Sequence, residues 1–231
     1  MNDTDLKKNC AKEAMKYIKS GMIIGLGGGR SIAYLIEHIK EDKNLKVKVV
    51  TPSTKTKMLC IENGLEVLHT CSVDKVDVAF DGCDQVDENL NALKSGGGIH
   101  TKEKLIASMA EEYILLVDAA KVEKTLTFKA PVVLEILEDS LKYVERRILE
   151  LDGKPVVRSS DIKDGFTISD NGNLLMNVAF DDVKDIYELN NSLINICGVV
   201  ETSLFIGVIT KAIIASEKGI RVISKSQDIY N

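Results

Sequence analysis

The sequence contains no tryptophan and only three prolines among its 231 residues. No apolar stretch reaches the roughly 18 residues that a membrane-spanning helix requires. Residues 1–5 also lack the basic region followed by an apolar region that is typical of a secretory signal. We therefore expect a cytoplasmic protein that has no membrane partner.

Cysteines are few and scattered. The five cysteines are odd in number and show no CxxC or Cys/His ligand pattern: Cys10, Cys60, Cys71, Cys83 and Cys197. Neither a disulfide framework nor a zinc site is indicated, and we expect reduced thiols.

An excess of positive charge is missing as well. The chain carries 30 lysines and arginines against 35 aspartates and glutamates, for a net charge of −5, and lysines alternate with glutamates along it. A nucleic-acid-binding protein usually concentrates Lys and Arg on one face. We therefore expect no nucleic-acid partner, and any phosphate site must be local.

Hydrophobic residues make up 45% of the chain, which is enough for one large domain that carries a smaller insertion. Up to about residue 130, short apolar segments alternate with helical patterns. For example, a strand predicted at 22–26 precedes a helix predicted at 31–38. This alternation indicates an α/β fold with a Rossmann-like parallel sheet.

Beyond residue 131 the predicted order changes to β-α-β-β-α-β, with an Asn171-Gly172 hairpin signal before a strand at 174–176 and a last strand at 199–206. This order predicts a smaller ferredoxin-like α+β domain inserted in the chain. We assign residues 1–130 and 207–231 to the α/β catalytic domain and residues 131–206 to the small domain.

The first predicted strand ends in a glycine loop, Gly25-Leu26-Gly27-Gly28-Gly29-Arg30-Ser31. Glycines let the backbone approach a ligand closely, and the amides that begin the next helix favour an anion. The spacing fits neither a Walker loop nor the Rossmann dinucleotide fingerprint. The loop therefore indicates a phosphate site rather than a nucleotide site, with a plain strand-to-helix turn as the alternative.

Two further loops follow predicted strands. Asp81-Gly82-Cys83-Asp84 brings two carboxylates together, and Lys94-Ser95-Gly96-Gly97-Gly98 supplies an ammonium and backbone amides. Glu103 follows in the first turn of a helix that Thr101 is expected to cap. Taken singly, these motifs also fit a solvated acidic turn, a calcium loop or a capping acid. Because ligands bind at the carboxyl ends of parallel strands, we expect the loops to converge on one small anionic ligand, as in a phosphosugar enzyme.

In this order the motifs resemble those of type A ribose-5-phosphate isomerases. The resemblance runs from Lys7 to about Phe205 and includes Val117-Asp118-Ala119-Ala120-Lys121, Asp170-Asn171-Gly172-Asn173 and Gly198-Val199-Val200-Glu201-Thr202. It implies interconversion of ribose 5-phosphate and ribulose 5-phosphate through an enediolate. It also implies a pentose phosphate as the small-molecule partner, no cofactor, no metal, and a homodimer or homotetramer.

The resemblance also assigns roles to residues. The catalytic residues would be Glu103 as the base with Asp81, Asp84 and Lys94 around the reacting carbons. The substrate-binding residues would be Lys7, Gly28, Gly29, Arg30, Ser31, Gly82, Cys83, Ser95, Gly96, Gly97 and Lys121.

The glycine loop departs from the family pattern, which usually has Thr, Ser and Thr where this chain has Gly28, Arg30 and Ser31. Compared with that pattern, the loop loses hydroxyl donors and gains the guanidinium of Arg30. This guanidinium either binds phosphate or points to solvent. Cys83 replaces the usual alanine, and we interpret it as a small filler rather than a nucleophile.

Other functions stay open. A non-catalytic phosphosugar sensor of the same fold would keep the phosphate loop, but we expect such a repressor to carry an N-terminal helix-turn-helix, and only one helix is predicted before the first strand. A coenzyme A transferase-like enzyme would use a glutamate nucleophile and would leave Lys94, Asp81 and Asp84 without an obvious purpose. An isomerase for a different sugar phosphate is a further alternative.

Overall fold

The computed structural model describes residues 3–160 and 164–225. Its helices are α1 (Asp3–Ala14), α2 (Arg30–Glu41), α3 (Thr54–Glu62), α4 (His100–Met109), α5 (Leu141–Leu149) and α6 (Ile186–Ile194). Its strands are β1 (Ile23–Leu26), β2 (Lys48–Val50), β3 (Glu66–Val67), β4 (Val76–Asp81), β5 (Gln85–Asp87), β6 (Ala92–Leu93), β7 (Ala110–Asp118), β8 (Val122–Glu123), β9 (Val132–Ile136), β10 (Lys154–Val157), β11 (Leu174–Ala179), β12 (Val199–Thr202), β13 (Leu204–Phe205), β14 (Lys211–Ser216) and β15 (Gly219–Ser224). None of the described helices has the length and apolar character needed to cross a membrane.

A seven-stranded sheet of order β15-β14-β7-β4-β1-β2-β3 forms the largest part of the fold. All of its strand pairs are parallel except β14 with β15, which closes one edge as an antiparallel hairpin. The central strands are continuous apolar runs because helices cover both faces of such a sheet, as in residues 113–117 of β7, all buried. The predicted Rossmann-like parallel sheet is confirmed.

Helix α2 shows how the sequence places the glycine loop beside this sheet. Its buried residues Ile32, Leu35, Ile36 and Ile39 recur at helical spacing, so one face packs on the core. Gly29 precedes the helix with φ +95°, a conformation that glycine adopts without strain. The loop after β1 is therefore held between a buried strand and a buried helix face.

The second sheet is antiparallel, with the order β10-β11-β9-β12. Together with α5 and α6, its strands follow the chain order β-α-β-β-α-β. This arrangement confirms the predicted ferredoxin-like α+β unit. The Asn171-Gly172 turn is present, with Gly172 at φ +84°, but residues 166–168 form only isolated bridges rather than a regular strand.

The strand predicted at 199–206 is divided between two sheets, which corrects the sequence prediction. Strand β12 ends at Thr202, and β13 pairs with β6 in a third sheet of order β13-β6-β5-β8 that the sequence did not predict. The chain changes sheets at the buried Ser203, which exchanges two hydrogen bonds of 2.8 Å with the backbone of Val133 and accepts one of 3.0 Å from the Lys94 amide. The division of the chain at residues 131 and 206 stays a prediction.

We predict that Ser203→Ala destabilises the fold. The Ser203 hydroxyl accepts the buried Val133 N–H, and a buried donor that loses its acceptor costs about 1–3 kcal/mol. Chemical denaturation should show a fall of that size in the free energy of unfolding. The control is Ser72→Ala, because Ser72 is exposed, and this change should alter stability by less than about 0.5 kcal/mol. Equal denaturation midpoints for Ser203→Ala and Ser72→Ala would contradict the prediction.

Candidate active site

The glycine loop and the acidic loop meet because β1 and β4 are neighbours in register, with Leu26 opposite Phe80. The Gly27 amide donates to the Phe80 carbonyl at 2.9 Å, and the Gly28 amide donates to Asp81 Oδ1 at 3.2 Å. A Cβ atom on Gly27 would lie 2.0 Å from the Asp81 carboxyl. Only glycine at position 27 therefore leaves room for the Asp81 side chain in its observed position.

A buried ammonium lies between two buried carboxylates. Lys94 Nζ is 3.0 Å from Asp81 Oδ2 and 3.3 Å from Glu103 Oε1, and it also donates to the Gly82 carbonyl. The exposed fractions are 6% for Lys94, 3% for Asp81 and 7% for Glu103. Two carboxylates thus share one ammonium in a region largely shielded from water, an arrangement that active sites use to shift pKa values.

Tyr113 completes the surroundings of Asp81. Its hydroxyl donates to Asp81 Oδ2 at 3.0 Å, and the Gly82 amide donates to Asp81 Oδ1 at 2.8 Å. Burial, and then the nearby Asp81, raises the pKa of the Tyr113 hydroxyl well above its usual value, so this group stays a donor. The sequence analysis missed Tyr113, although a buried tyrosine in a core strand needs a partner for its hydroxyl.

Asp84 holds the second glycine loop. Its Oδ2 accepts the amides of Ser95 and Gly96 at 2.6 and 2.9 Å, whereas the Ser95 hydroxyl donates to the Pro131 carbonyl. Arg158, from the end of β10, donates to the carbonyl of Ser95 at 2.8 Å and to that of Gly96 at 3.3 Å. Sequence reasoning missed Arg158 because no local pattern indicates a contact across such a separation.

Burial sets the acid–base properties of the cluster. It raises the pKa of Glu103 to about 8, the negative charge of Asp81 adds to this rise, and Lys94 opposes it. Burial alone would lower the pKa of Lys94, but Asp81 and Glu103 outweigh it and raise the pKa. Burial raises the pKa of the Cys83 thiol to about 12, so the thiol is protonated at neutral pH, which favours the interpretation of Cys83 as a filler.

A cavity of about 530 Å³ opens beside the cluster. It is lined by Gly28, Gly29, Ser53, Thr54, Asp81, Gly82, Cys83, Asp84, Lys94, Gly96, Gly97, Ile99, Glu103 and Asp170. The sequence analysis did not single out Ser53, Thr54, Ile99 and Asp170 as lining residues. A larger neighbouring cavity of about 990 Å³ lacks all three members of the charged cluster, so the smaller one is the candidate active site.

Several residues predicted to bind substrate lie outside the lining of this cavity. Arg30 is exposed and pairs with Asp3 at 3.0 Å, and Lys7 pairs with the same carboxylate. Lys121 Nζ donates to the Cys83 carbonyl at 2.7 Å, and Ser31 does not line the cavity either. The substrate contacts of Lys7, Arg30, Ser31, Ser95 and Lys121 stay predictions.

The predicted helix cap at Thr101 is wrong. Helix α4 begins at His100 with Ile99 in the capping position, where no side chain caps it. The Thr101 hydroxyl instead donates to Glu135 of the small antiparallel sheet, because the buried carboxylate competes for it. Glu103 nevertheless lies in the first turn of α4, as predicted.

Comparison with known proteins agrees with this geometry. The family model described as ribose 5-phosphate isomerase A (phosphoriboisomerase A) matches residues 48–219. The chain is 38% identical over 229 residues to ribose-5-phosphate isomerase A of Methanocaldococcus jannaschii, with coverage of 97% of this chain and 100% of the relative. It is 34% identical over 229 residues to the protein of the same name from Pyrococcus abyssi, with the same coverage.

Solved structures extend the similarity to three dimensions. The structure of ribose 5-phosphate isomerase A from M. jannaschii has a TM-score of 0.91 and 36% identity, covering 97% of this chain and 100% of that one. A structure of a D-ribose-5-phosphate isomerase in complex with phospho-erythronic acid has a TM-score of 0.92 and 33% identity, with the same coverage. Over nearly its whole length, the chain belongs to the ribose 5-phosphate isomerase A family.

Proposed function

We propose that the chain interconverts ribose 5-phosphate and ribulose 5-phosphate, with the Lys94–Asp81–Glu103 cluster as its catalytic centre. The observation that carries the proposal is this buried cluster, which lines a cavity together with glycine amides. Family membership supports the choice of substrate. A phosphosugar sensor would need the phosphate loop but not a buried base, so the cluster favours catalysis.

The isomerisation moves one proton between adjacent carbons and another between their oxygens. Glu103 removes the proton at C2 and returns it at C1. Lys94 and the amide of Gly97 stabilise the negative charge of the enediolate, since donors fixed in a water-poor site need no reorganisation. Asp81 and Asp84, which line the same cavity, assist ring opening and the transfer between oxygens.

We propose that the phosphate lies where the glycine loop lines the cavity. Gly28 and Gly29 line it there, next to the N-terminus of α2, whose dipole favours an anion. Phospho-erythronic acid, bound by one structural relative, carries a phosphate and a carboxylate. That carboxylate has two oxygens where the enediolate would have O1 and O2, so the ligand supports an enediolate intermediate for this chain.

The remaining parts of the proposal are predictions. We expect no cofactor and no metal, because Lys94 supplies the positive charge that a Lewis acid would otherwise provide. Within residues 3–160 and 164–225, no group of three or more His, Cys, Asp or Glu side chains suits a metal ion. A cytoplasmic location and a homodimer or homotetramer also stay predictions.

We predict that Glu103→Gln abolishes most turnover while leaving substrate binding intact. The amide keeps the shape of the side chain but cannot accept the carbon-bound proton, and loss of a general base typically costs about 10²- to 10⁴-fold in rate. The measurements are the turnover number with ribose 5-phosphate and calorimetric titration with phospho-erythronate. Glu111→Gln, at an exposed glutamate, is the matched control and should behave as the wild type. A variant with a substantial fraction of the wild-type rate would show that Glu103 is not the base.

We predict that kcat/KM rises with pH up to about 8, the raised pKa of Glu103. Glu103 must be deprotonated to act as the base, and its raised pKa keeps it mostly protonated at lower pH. The rate constant should therefore rise about tenfold per pH unit below that value and level off above it. Thermal unfolding at each pH checks that the protein stays folded. An acid limb near the usual glutamate pKa of 4.5 would contradict this assignment.

We predict that Arg30→Ala raises the KM for ribose 5-phosphate at low salt by about two- to fivefold and leaves kcat nearly unchanged. The expected effect is small because the guanidinium is exposed, and an exposed charge pair contributes at most about 1 kcal/mol. It should shrink as salt screens the contact. Lys40→Ala, an exposed cation on the same helix, is the control. An unchanged KM at low salt would mean that Arg30 points away from the substrate.

A further inference from the structure

Glu135 is a buried carboxylate that the proposed mechanism does not use. It is the charged residue in an otherwise apolar strand, β9, and is 1% exposed. An isolated carboxylate at such a position is costly unless its oxygens are fully hydrogen-bonded. The hydrogen-bond donors around Glu135 therefore indicate which segments this carboxylate holds in place.

Two hydroxyls and two side-chain amides donate to Glu135. Its Oε1 accepts from Ser169 Oγ at 2.7 Å, from Asn173 Nδ2 at 2.8 Å and from Asn171 Nδ2 at 2.9 Å. Its Oε2 accepts from the Thr101 hydroxyl and, at 3.2 Å, from Asn171 Nδ2. Burial raises the pKa of Glu135, but the hydrogen bonds outweigh it and lower the pKa, so the group stays an acceptor at neutral pH.

Three of these donors belong to one turn, residues 169–173. The turn closes on itself through the Ser169 amide, which donates to the Asn173 carbonyl at 2.8 Å, and the Gly172 amide, which donates to the Ser169 carbonyl at 3.0 Å. Asp170 lies within this turn and lines the same cavity as Glu103. The hydrogen bonds of Glu135 to this turn thus fix the position of Asp170 at the cavity.

The fourth donor, Thr101, belongs to the first turn of α4, two residues before Glu103. Lys102, between them, is 3.5 Å from Asp170 Oδ2 and so joins the same two segments at the surface. Glu135 therefore holds together the turn that carries Asp170 and the helix turn that carries the base.

We propose that Asp170 is a substrate-binding residue whose carboxylate accepts a hydrogen bond from a hydroxyl of the open-chain sugar phosphate, and that Glu135 is the residue that positions it. The proposal rests on the proposed function and deepens it. Asp170 lines the cavity with 47% of its side chain accessible, and its Oδ2 lies 3.5 Å from the Lys102 ammonium. A carboxylate offers about four acceptor positions, so Asp170 keeps capacity for a sugar hydroxyl beside its contact with Lys102.

The test begins with Asp170→Ala and steady-state kinetics on ribose 5-phosphate. The KM should rise about ten- to a hundredfold, as expected for one hydrogen bond to a charged group, with kcat and the thermal midpoint nearly unchanged. Asp181→Asn is the control, at an exposed aspartate that follows β11 and pairs with Lys154, and it should match the wild type. A wild-type KM in Asp170→Ala would overturn the role of Asp170.

Glu135→Gln tests the positioning role. The amide presents two donors to a site filled with donors, so the turn should shift and the KM should rise by a factor similar to that of Asp170→Ala. In the double variant, the KM should be no higher than in the more affected single variant, because both changes remove the same contact. Asn173→Ala, which deletes a single donor, is a milder variant for the case in which Glu135→Gln does not fold, and it should raise the KM in the same direction.

A merely structural role for Glu135 would lower the thermal midpoint and leave the KM at the wild-type value, which would overturn the proposal. Increases in KM that multiply in the double variant would also overturn it, since they would show two independent contacts. A wild-type protein without turnover of ribose 5-phosphate would instead overturn the proposed function, and this inference would fall with it.

Discussion

The burial of Lys94 between Asp81 and Glu103 is the constraint on which the rest of the site depends. Removing an ammonium from water costs several kcal/mol, which only close, well-oriented partners offset. Those partners come from different elements: Asp81 from the end of β4, Glu103 from the first turn of α4, and the Gly82 carbonyl from the acidic loop. Lys94 Nζ also lies over the face of the Phe205 ring, 5.5 Å from its centroid, as in a cation–π contact. The Lys94 ammonium therefore holds β4, α4 and the acidic loop together through its contacts.

The third sheet contributes to the position of Lys94. It consists of strands of two or three residues, too short to be stable alone, yet β6 ends directly before Lys94 and β13 supplies Phe205. The Lys94 amide donates to the Ser203 carbonyl at the point where the chain passes from the small antiparallel sheet to this one. Lys94 is thus anchored where two sheets meet. Arg158, directly after β10, donates to the neighbouring Ser95 carbonyl, and Asp170 lines the same cavity as Lys94.

The sequence predicted those features that have local signals. Alternating strand and helix patterns, the glycine loops and the β-α-β-β-α-β order each depend on neighbouring residues, and they gave the two main sheets and most residues of the cavity. The third sheet has no such signal, because two apolar residues such as Leu204 and Phe205 look like the end of a longer strand. The contacts of Tyr113 with Asp81, Arg158 with the Ser95 loop and Thr101 with Glu135 join residues that are distant in sequence. Only the folded chain defines them.

The close approach of Gly27 to Asp81 has a consequence for redesign of the glycine loop. Any side chain at position 27 would collide with the Asp81 carboxylate, and the left-handed backbone at Gly29 disfavours substitution there. Gly28 is different, because a Cβ atom on it would meet no atom within 4 Å and its backbone is not left-handed. Among the three glycines at positions 27–29, Gly28 is therefore the one that accepts a side chain. A library confined to residue 28 would vary the lining of the cavity while leaving the side chains of Lys94, Asp81 and Glu103 unchanged.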